Sequence, residues 1–341
     1  MDFTNTLINV LVLTALAVPG FILKRTKKLG GNASKYLVNI ILYVCQPMIV
    51  VSSFQKADYT PEMLLNMLYA FLIGFFGIAA TGAAALFIAK KLSVNGGWRA
   101  NGKLRGKTNG GAGGSGGIGG NVNENAGGDG RARAIAFACA FGNVAFMGIP
   151  VISVLLPENP EAIIYLTVLT VAFNILSWTL GAYIISGRRE YIALKKAVVN
   201  PPTLAVFIAL PLFFLGVRLD ARLVSGISYL GDMVTPLSMT VLGMRFADVK
   251  LKELFGGVSV YAVSFVKLVA VPALLYLALL FLNLDSVLEI TLYIIFLMPC
   301  ANNLLLFAEH FDGDTAFAAK AVLLTTVFSA FTISAMLLLP L

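Results

Sequence analysis

The chain has 341 residues, of which 58% are hydrophobic and only 12% charged, and its mean hydropathy is +0.87. Soluble domains carry about 25% charged residues, so a soluble two-domain protein of this length is excluded in favour of one bundle in a lipid bilayer. The net charge of +8 is read as topology and headgroup contact, not nucleic-acid binding, because the basic residues gather in a few loops.

Ten apolar segments have about the length a bilayer requires: 5–23, 36–54, 62–89, 134–156, 161–186, 202–218, 225–246, 257–282, 288–308 and 315–340. The first lacks a basic leader and a small-residue cleavage site, so it is expected to stay as a helix. The loops after the first, third, fifth and seventh segments hold 20 of the 25 Lys and Arg. The positive-inside rule then places both termini outside a multi-pass cell membrane protein. The loop after the third segment, 91–131, contains 15 of the 32 glycines and reads as a disordered cytoplasmic linker. Its Gly111–Gly116 match to GxGxxG and its Gly102–Thr108 likeness to a Walker loop lack any strand–loop–helix context, so neither indicates a nucleotide site.

The fourth and ninth segments each break their apolar run. Phe141-Gly142-Asn143-Val144-Ala145-Phe146-Met147-Gly148-Ile149-Pro150 and Phe296-Leu297-Met298-Pro299-Cys300-Ala301-Asn302-Asn303 put a proline and amides mid-span. An interrupted helix frees backbone groups that lipid cannot satisfy. Paired interruptions in two halves of a chain point to a transporter's binding site.

Those halves are visible as an internal repeat. Pro19 pairs with Pro211, Pro47 with Pro236, Pro150 with Pro299, and Leu169-Thr170 with Leu324-Thr325. The spacing drops by about forty residues after the second pair, which the extra loop 91–131 explains. Five spans per half is an odd number, so the halves must be inverted. The expected fold is all-α: ten transmembrane helices in two inverted five-helix repeats, with helices 4 and 9 broken. Residues 1–90 hold helices 1–3, 91–131 the glycine-rich loop, 132–187 helices 4–5, 188–200 a basic cytoplasmic linker, and 201–341 helices 6–10.

The breaks nominate the site. Gly148, Pro150 and Pro299 mark the interruptions, and the second half-helices should turn their N-terminal N–H groups inward, favouring an anion. Asn143, Asn302 and Asn303 can donate to a carboxylate or accept from a hydroxyl or cation. Lys267 lies about 15 Å along its helix from the cytoplasmic end, too deep to snorkel easily; it either holds substrate charge or anchors freed carbonyls. Gln46, beside Pro47, and Thr235, beside Pro236, form a symmetric polar pair that either lines the cavity or packs helices. Asp232, Glu289 and Glu309 sit near segment ends, poorly placed for a proton relay. His310, at the cytoplasmic end of the ninth segment, reads as an interface residue. Cys45, Cys139 and Cys300 lie within spans and read as small buried thiols, not a disulfide or metal site. With a single His there is no HExxH zinc motif, and no serine–histidine dyad is evident, so neither an enzyme nor a cofactor is expected.

At these segments the chain resembles the auxin efflux carrier family, which includes plant PIN carriers and bacterial malate-permease-like proteins. Asn143–Pro150 looks like that family's N-x-x-x-M-G-x-P crossover. Met298-Pro299 with Phe307-Ala308-Glu309, and Pro236-Leu237-Ser238 with Gly243-Met244-Arg245, are similar to its ninth- and seventh-helix patterns. The resemblance implies a scaffold and a transport domain, helices 4 and 9 crossing at their prolines, elevator-like movement, and small organic anions such as auxin, malate or malonate as substrates. Asn143 stands where plant relatives contact substrate. The glycine-rich insert here follows the third span, whereas long-loop plant carriers have theirs after the fifth, so regulation through such a loop is not implied. The architecture is also similar to bile-acid sodium symporters, which leaves sodium or a proton open as coupling ion; the lack of a central carboxylate speaks against sodium. A non-transporting receptor would need a partner surface on the cytoplasmic loops, and the 91–131 loop carries no signalling motif. The sequence admits a homodimer without specifying one.

Overall fold

The computed structural model describes residues 3–30, 32–94, 129–248, 255–311 and 313–339. Most of the glycine-rich segment, with its two nucleotide-motif lookalikes, lies outside the described residues.

Every described element is helical, apart from one isolated β-bridge. An apolar chain in lipid has no other way to pair its backbone short of a closed barrel. The main helices are α1 (Thr4–Arg25), α2 (Ala33–Lys56), α3 (Pro61–Val94), α4 (Asp129–Ala140), α5 (Val144–Leu155), α6 (Pro160–Ser186), α7 (Pro201–Phe214), α8 (Ala221–Asp232), α9 (Val234–Asp248), α10 (Val258–Leu279), α11 (Ser286–Phe296), α12 (Asn303–His310) and α13 (Thr315–Met336), with short helical turns Arg189–Tyr191 and Leu194–Val198 between α6 and α7. Asn200, Asp220, Asp285 and Asp314 start α7, α8, α11 and α13 by accepting first-turn N–H groups, which relieves donors that lipid would leave unpaired.

Six helices, α1, α2, α3, α6, α10 and α13, are long and apolar enough to cross a membrane. The other four expected spans appear as shorter or interrupted helices. Segments 134–156 and 288–308 are each split in two, as α4–α5 and α11–α12. Segment 225–246 is divided at Met233, where Pro236 cannot donate to the turn before it. Segment 202–218 yields a helix of 14 residues, about 21 Å long at 1.5 Å per residue.

Proline also shapes the helices that do not stop. Pro47, Pro150 and Pro272 each stand second in an α-helical stretch that follows a five-residue π-helical turn: Ile41–Cys45, Val144–Gly148 and Val266–Ala270. The proline ring presses on the carbonyl four residues back, and a wider turn gives it room.

The second half of α1 lies along α9, and α2 lies against α7 and α8. A Cβ on Gly20 would collide with the Thr240 carbonyl, and one on Gly243 with the Ala17 carbonyl. These two glycines let the α1 and α9 backbones touch, as small residues do between membrane helices. Lys24 and Asp248 tie the same helices by an ion pair of 3.4 Å. Elsewhere α3 packs along α4 and α6, and α10 along α13. At the far end of α2, Arg218 donates to the carbonyls of Gln55 at 2.6 Å and Ala57 at 2.7 Å and pairs with Asp58 at 2.7 Å. It thereby occupies the last carbonyls of α2, which no helix turn can reach.

Candidate functional site at the crossing of two broken helices

The two interruptions meet and complete each other. α4 ends at Ala140, α11 ends at Phe296, and the extended residues that follow form an antiparallel bridge between Gly142 and Cys300. Asn143 N–H donates to the Pro299 carbonyl at 2.7 Å, and Ala301 N–H donates to the Phe141 carbonyl at 2.9 Å. Cys300 N–H donates to Thr325 Oγ1 on α13 at 3.1 Å. Three N–H groups that the breaks release are thus paired inside the protein, as the lack of water in a bilayer demands.

The first interruption falls earlier in the chain than Gly148 and Pro150 would place it. Both lie within or just past the wide turn, where the Asn143 carbonyl accepts from Met147 at 3.3 Å and from Gly148 at 3.1 Å. The missing N–H of Pro150 is absorbed by that wide turn, so the chain opens at Gly142–Asn143 instead. Pro299 does sit within its break, between α11 and α12.

An aromatic cluster packs around the first break. Phe137 stacks on Phe141 with centroids 4.4 Å apart, and Phe137 and Trp178 both meet Phe307 of α12 edge-on, at 5.6 and 5.0 Å. A Cβ on Gly181 would stand 2.7 Å from the Phe137 ring, so that glycine admits the ring against α6.

The polar side chains differ in what they bond. Asn302, the cap of α12, accepts from Arg245 Nη1 at 3.4 Å, and Asn303, in its first turn, donates to Ser177 Oγ at 3.3 Å. Asn143 is buried, and its side-chain amide makes no hydrogen bond to a described residue. Lys267 is 2% exposed; its Nζ donates to the Phe296 carbonyl at the end of α11 at 3.4 Å. Of the two roles open to Lys267, bonding a freed carbonyl is the one this contact fits. Gln46 is also buried, on α2, with its Nε2 unpaired among the described residues and no recorded bond to the crossing.

Arg245 is the residue that sequence reasoning misplaced. Counted with the charges of a cytoplasmic loop, it belongs to α9, is only partly exposed, and reaches Asn302. The Glu309 and Asp248 carboxylates act on it without forming a direct ion pair, and its bond to Asn302 uses one of five guanidinium donors. Its occurrence after Gly243-Met244 near the end of an apolar run was the available signal; only the folded chain reveals the partner 57 residues away.

A helical membrane bundle with two broken helices joined backbone to backbone, and polar side chains gathered at the join, is the build of a secondary transporter. Sequence comparison agrees. The profile of the membrane transport protein family matches residues 127–337, and the chain belongs to that family. It is also similar to an uncharacterized transporter of Methanocaldococcus jannaschii, 22% identical over 331 residues that cover 95% of this chain and 96% of the relative.

Proposed function

We propose that the protein is a non-enzymatic carrier of small organic anions across the cell membrane, working by alternating access at the α4–α5/α11–α12 crossing. The observation that carries the anion reading is Arg245. A part-buried guanidinium in no direct ion pair with a described residue, with the Glu309 and Asp248 carboxylates acting on it from further off, stands beside the N-terminal cap of α12 and keeps further N–H donors for a ligand. Arg forks suit carboxylates, and a helix N-terminus adds to the attraction. Asn143, Asn302 and Asn303 are the neutral donors and acceptors proposed to complete the site, with Lys267 behind them, and Gln46 on α2 is proposed to line the same cavity.

The architecture we infer is ten spans in two inverted repeats, with termini outside. Its support is the spacing of prolines in the sequence and the way helices pair: α1 lies on α9 as α7 lies on α2, and α3 neighbours α4 and α6 as α10 neighbours α11 and α13. We read α1, α2, α7, α8 and α9 as a scaffold against which the remaining helices slide. Radiolabelled malate, malonate and auxin taken up by proteoliposomes test the reading, with wild type beside Asn143→Ala and Arg245→Gln. Uptake of at least one of the three, reduced about tenfold or more by Arg245→Gln, is the expected result. Wild-type rates retained in both variants would remove the crossing from the transport path.

A further inference from the structure

We infer that the Lys267 ammonium occupies the place of a coupling cation, so that this carrier moves its substrate without binding sodium. The inference rests on the crossing being the transport site. Both α4 and α11 end there, and the C-terminal ends of helices carry partial negative charge. In carriers built from broken helices, such ends and the unwound carbonyls beside them are where metal cations and protons sit.

Here that position is already filled. Lys267 projects from the wide turn Val266–Ala270, is 2% exposed, and gives a hydrogen bond to the Phe296 carbonyl. On its other side it reaches the first break: a Cβ on Gly142 would stand 3.1 Å from Nζ and 3.5 Å from the Met298 carbonyl. The ammonium thus lies beside Gly142, just past the end of α4, and bonds the last carbonyl of α11. The titratable groups that act on it are the thiols of Cys139 and Cys300, and no carboxylate pairs with it among the described residues. A cation buried in a membrane without a carboxylate must be balanced by main-chain dipoles, which is how a bound sodium ion in an unwound helix is held. A tethered ammonium serves the same electrostatic purpose and cannot dissociate during the cycle.

The test uses the full-length protein in proteoliposomes and in detergent. Wild-type uptake of malate, malonate or auxin should be the same within twofold in sodium and in N-methyl-D-glucamine. Lys267→Ala leaves a space of ammonium size; its uptake should fall at least tenfold in N-methyl-D-glucamine and recover several-fold with methylammonium or sodium. Lys267→Met fills the space without charge and should not recover. Thermal unfolding reads the same site without substrate: methylammonium or sodium should raise the melting temperature of Lys267→Ala and leave wild type and Lys267→Met unmoved. Sodium dependence of wild-type uptake, or a Lys267→Ala melting temperature indifferent to both cations, would overturn the inference. If no carboxylate is transported, the anion reading fails while the thermal arm still decides the role of Lys267.

Discussion

Thr325→Val probes the join between the broken helices without touching either. Thr325 is fully buried on α13; its Oγ1 donates to the Ala321 carbonyl at 2.7 Å and accepts from Cys300 N–H at 3.1 Å. Valine has nearly the same shape, so packing survives, the Ala321 carbonyl keeps its helical bond, and only the acceptor is lost. Cys300 N–H is then an orphan in a dry core, because the bridge to Gly142 uses its neighbours' groups. In soluble proteins such an orphan costs about 1–3 kcal/mol. Hydrogen bonds between membrane helices average about 0.6 kcal/mol and reach about 1.7, since the unfolded chain in lipid also finds partners. A backbone N–H at a break has no helical alternative, so the upper part of that range applies, about 1–2 kcal/mol. At roughly 2–4 °C per kcal/mol for larger chains, the melting temperature of the purified protein should fall by about 2–8 °C. Thr325→Ser, which restores the acceptor, should regain most of it. A Thr325→Val protein that melts with wild type, or a serine variant no better than valine, would refute the view that Thr325 completes the crossing.

Three further outcomes follow from the packing. Arg218→Ala removes bonds to the Phe54, Gln55 and Ala57 carbonyls and the ion pair with Asp58; a loss of about 1–3 kcal/mol is expected from charge-assisted bonds of this kind, read as a lower melting temperature, with Arg218→Lys recovering only part because it has no fork. Gly243→Val drives a branched side chain into the Ala17 carbonyl, so α1 and α9 must separate; misassembly on size-exclusion chromatography is the expected result, and normal elution with wild-type melting would contradict the close approach. Asn303→Ala deletes the bond to Ser177 Oγ at 3.3 Å; if this amide serves substrate as well as packing, uptake should drop by more than the fall in melting temperature explains, whereas Ser177→Ala should lower stability alone.

What could be read from the sequence was whatever one residue type announces by its setting. Lys267 stands out because a lone basic residue in an apolar run has few explanations, and the structure puts it at the crossing. The two interruptions were equally plain, since glycine, proline and amides seldom gather mid-span. The position of the first was not: proline marks where an N–H is missing, but a π-helical turn shifted the opening to Gly142–Asn143. Arg245 was hidden because the positive-inside rule counts charge near span ends without saying which way a side chain turns. The Phe137–Phe141–Phe307–Trp178 cluster could not be seen at all in a chain with 24 phenylalanines. Thr325 was legible only as the repeat mate of Thr170, and the structure uses the two differently: Thr170 bonds within its own helix, Thr325 also holds Cys300.

That difference extends to the amides and gives the two halves unequal tasks. Asn302 and Asn303 both have partners, Arg245 and Ser177, whereas the Asn143 side chain is buried with no hydrogen bond to a described residue. Its amide is not among the buried polar groups left without a partner, so no stored desolvation cost is released there. Asn143 is a group that an anion can bond without displacing a described partner. Arg245 is the complement. Its bond to Asn302 is 3.4 Å long, at the weak edge of hydrogen-bonding geometry, and costs little to exchange for a carboxylate. An anion that took Asn143 on one broken helix and Arg245 beside the other would replace one weak bond with several strong ones. It would also bridge a fixed half and a moving one, since Arg245 belongs to the proposed scaffold and Asn143 to the proposed carrier. Binding would then be tightest only in the arrangement that brings the two together, which is the differential affinity alternating access needs.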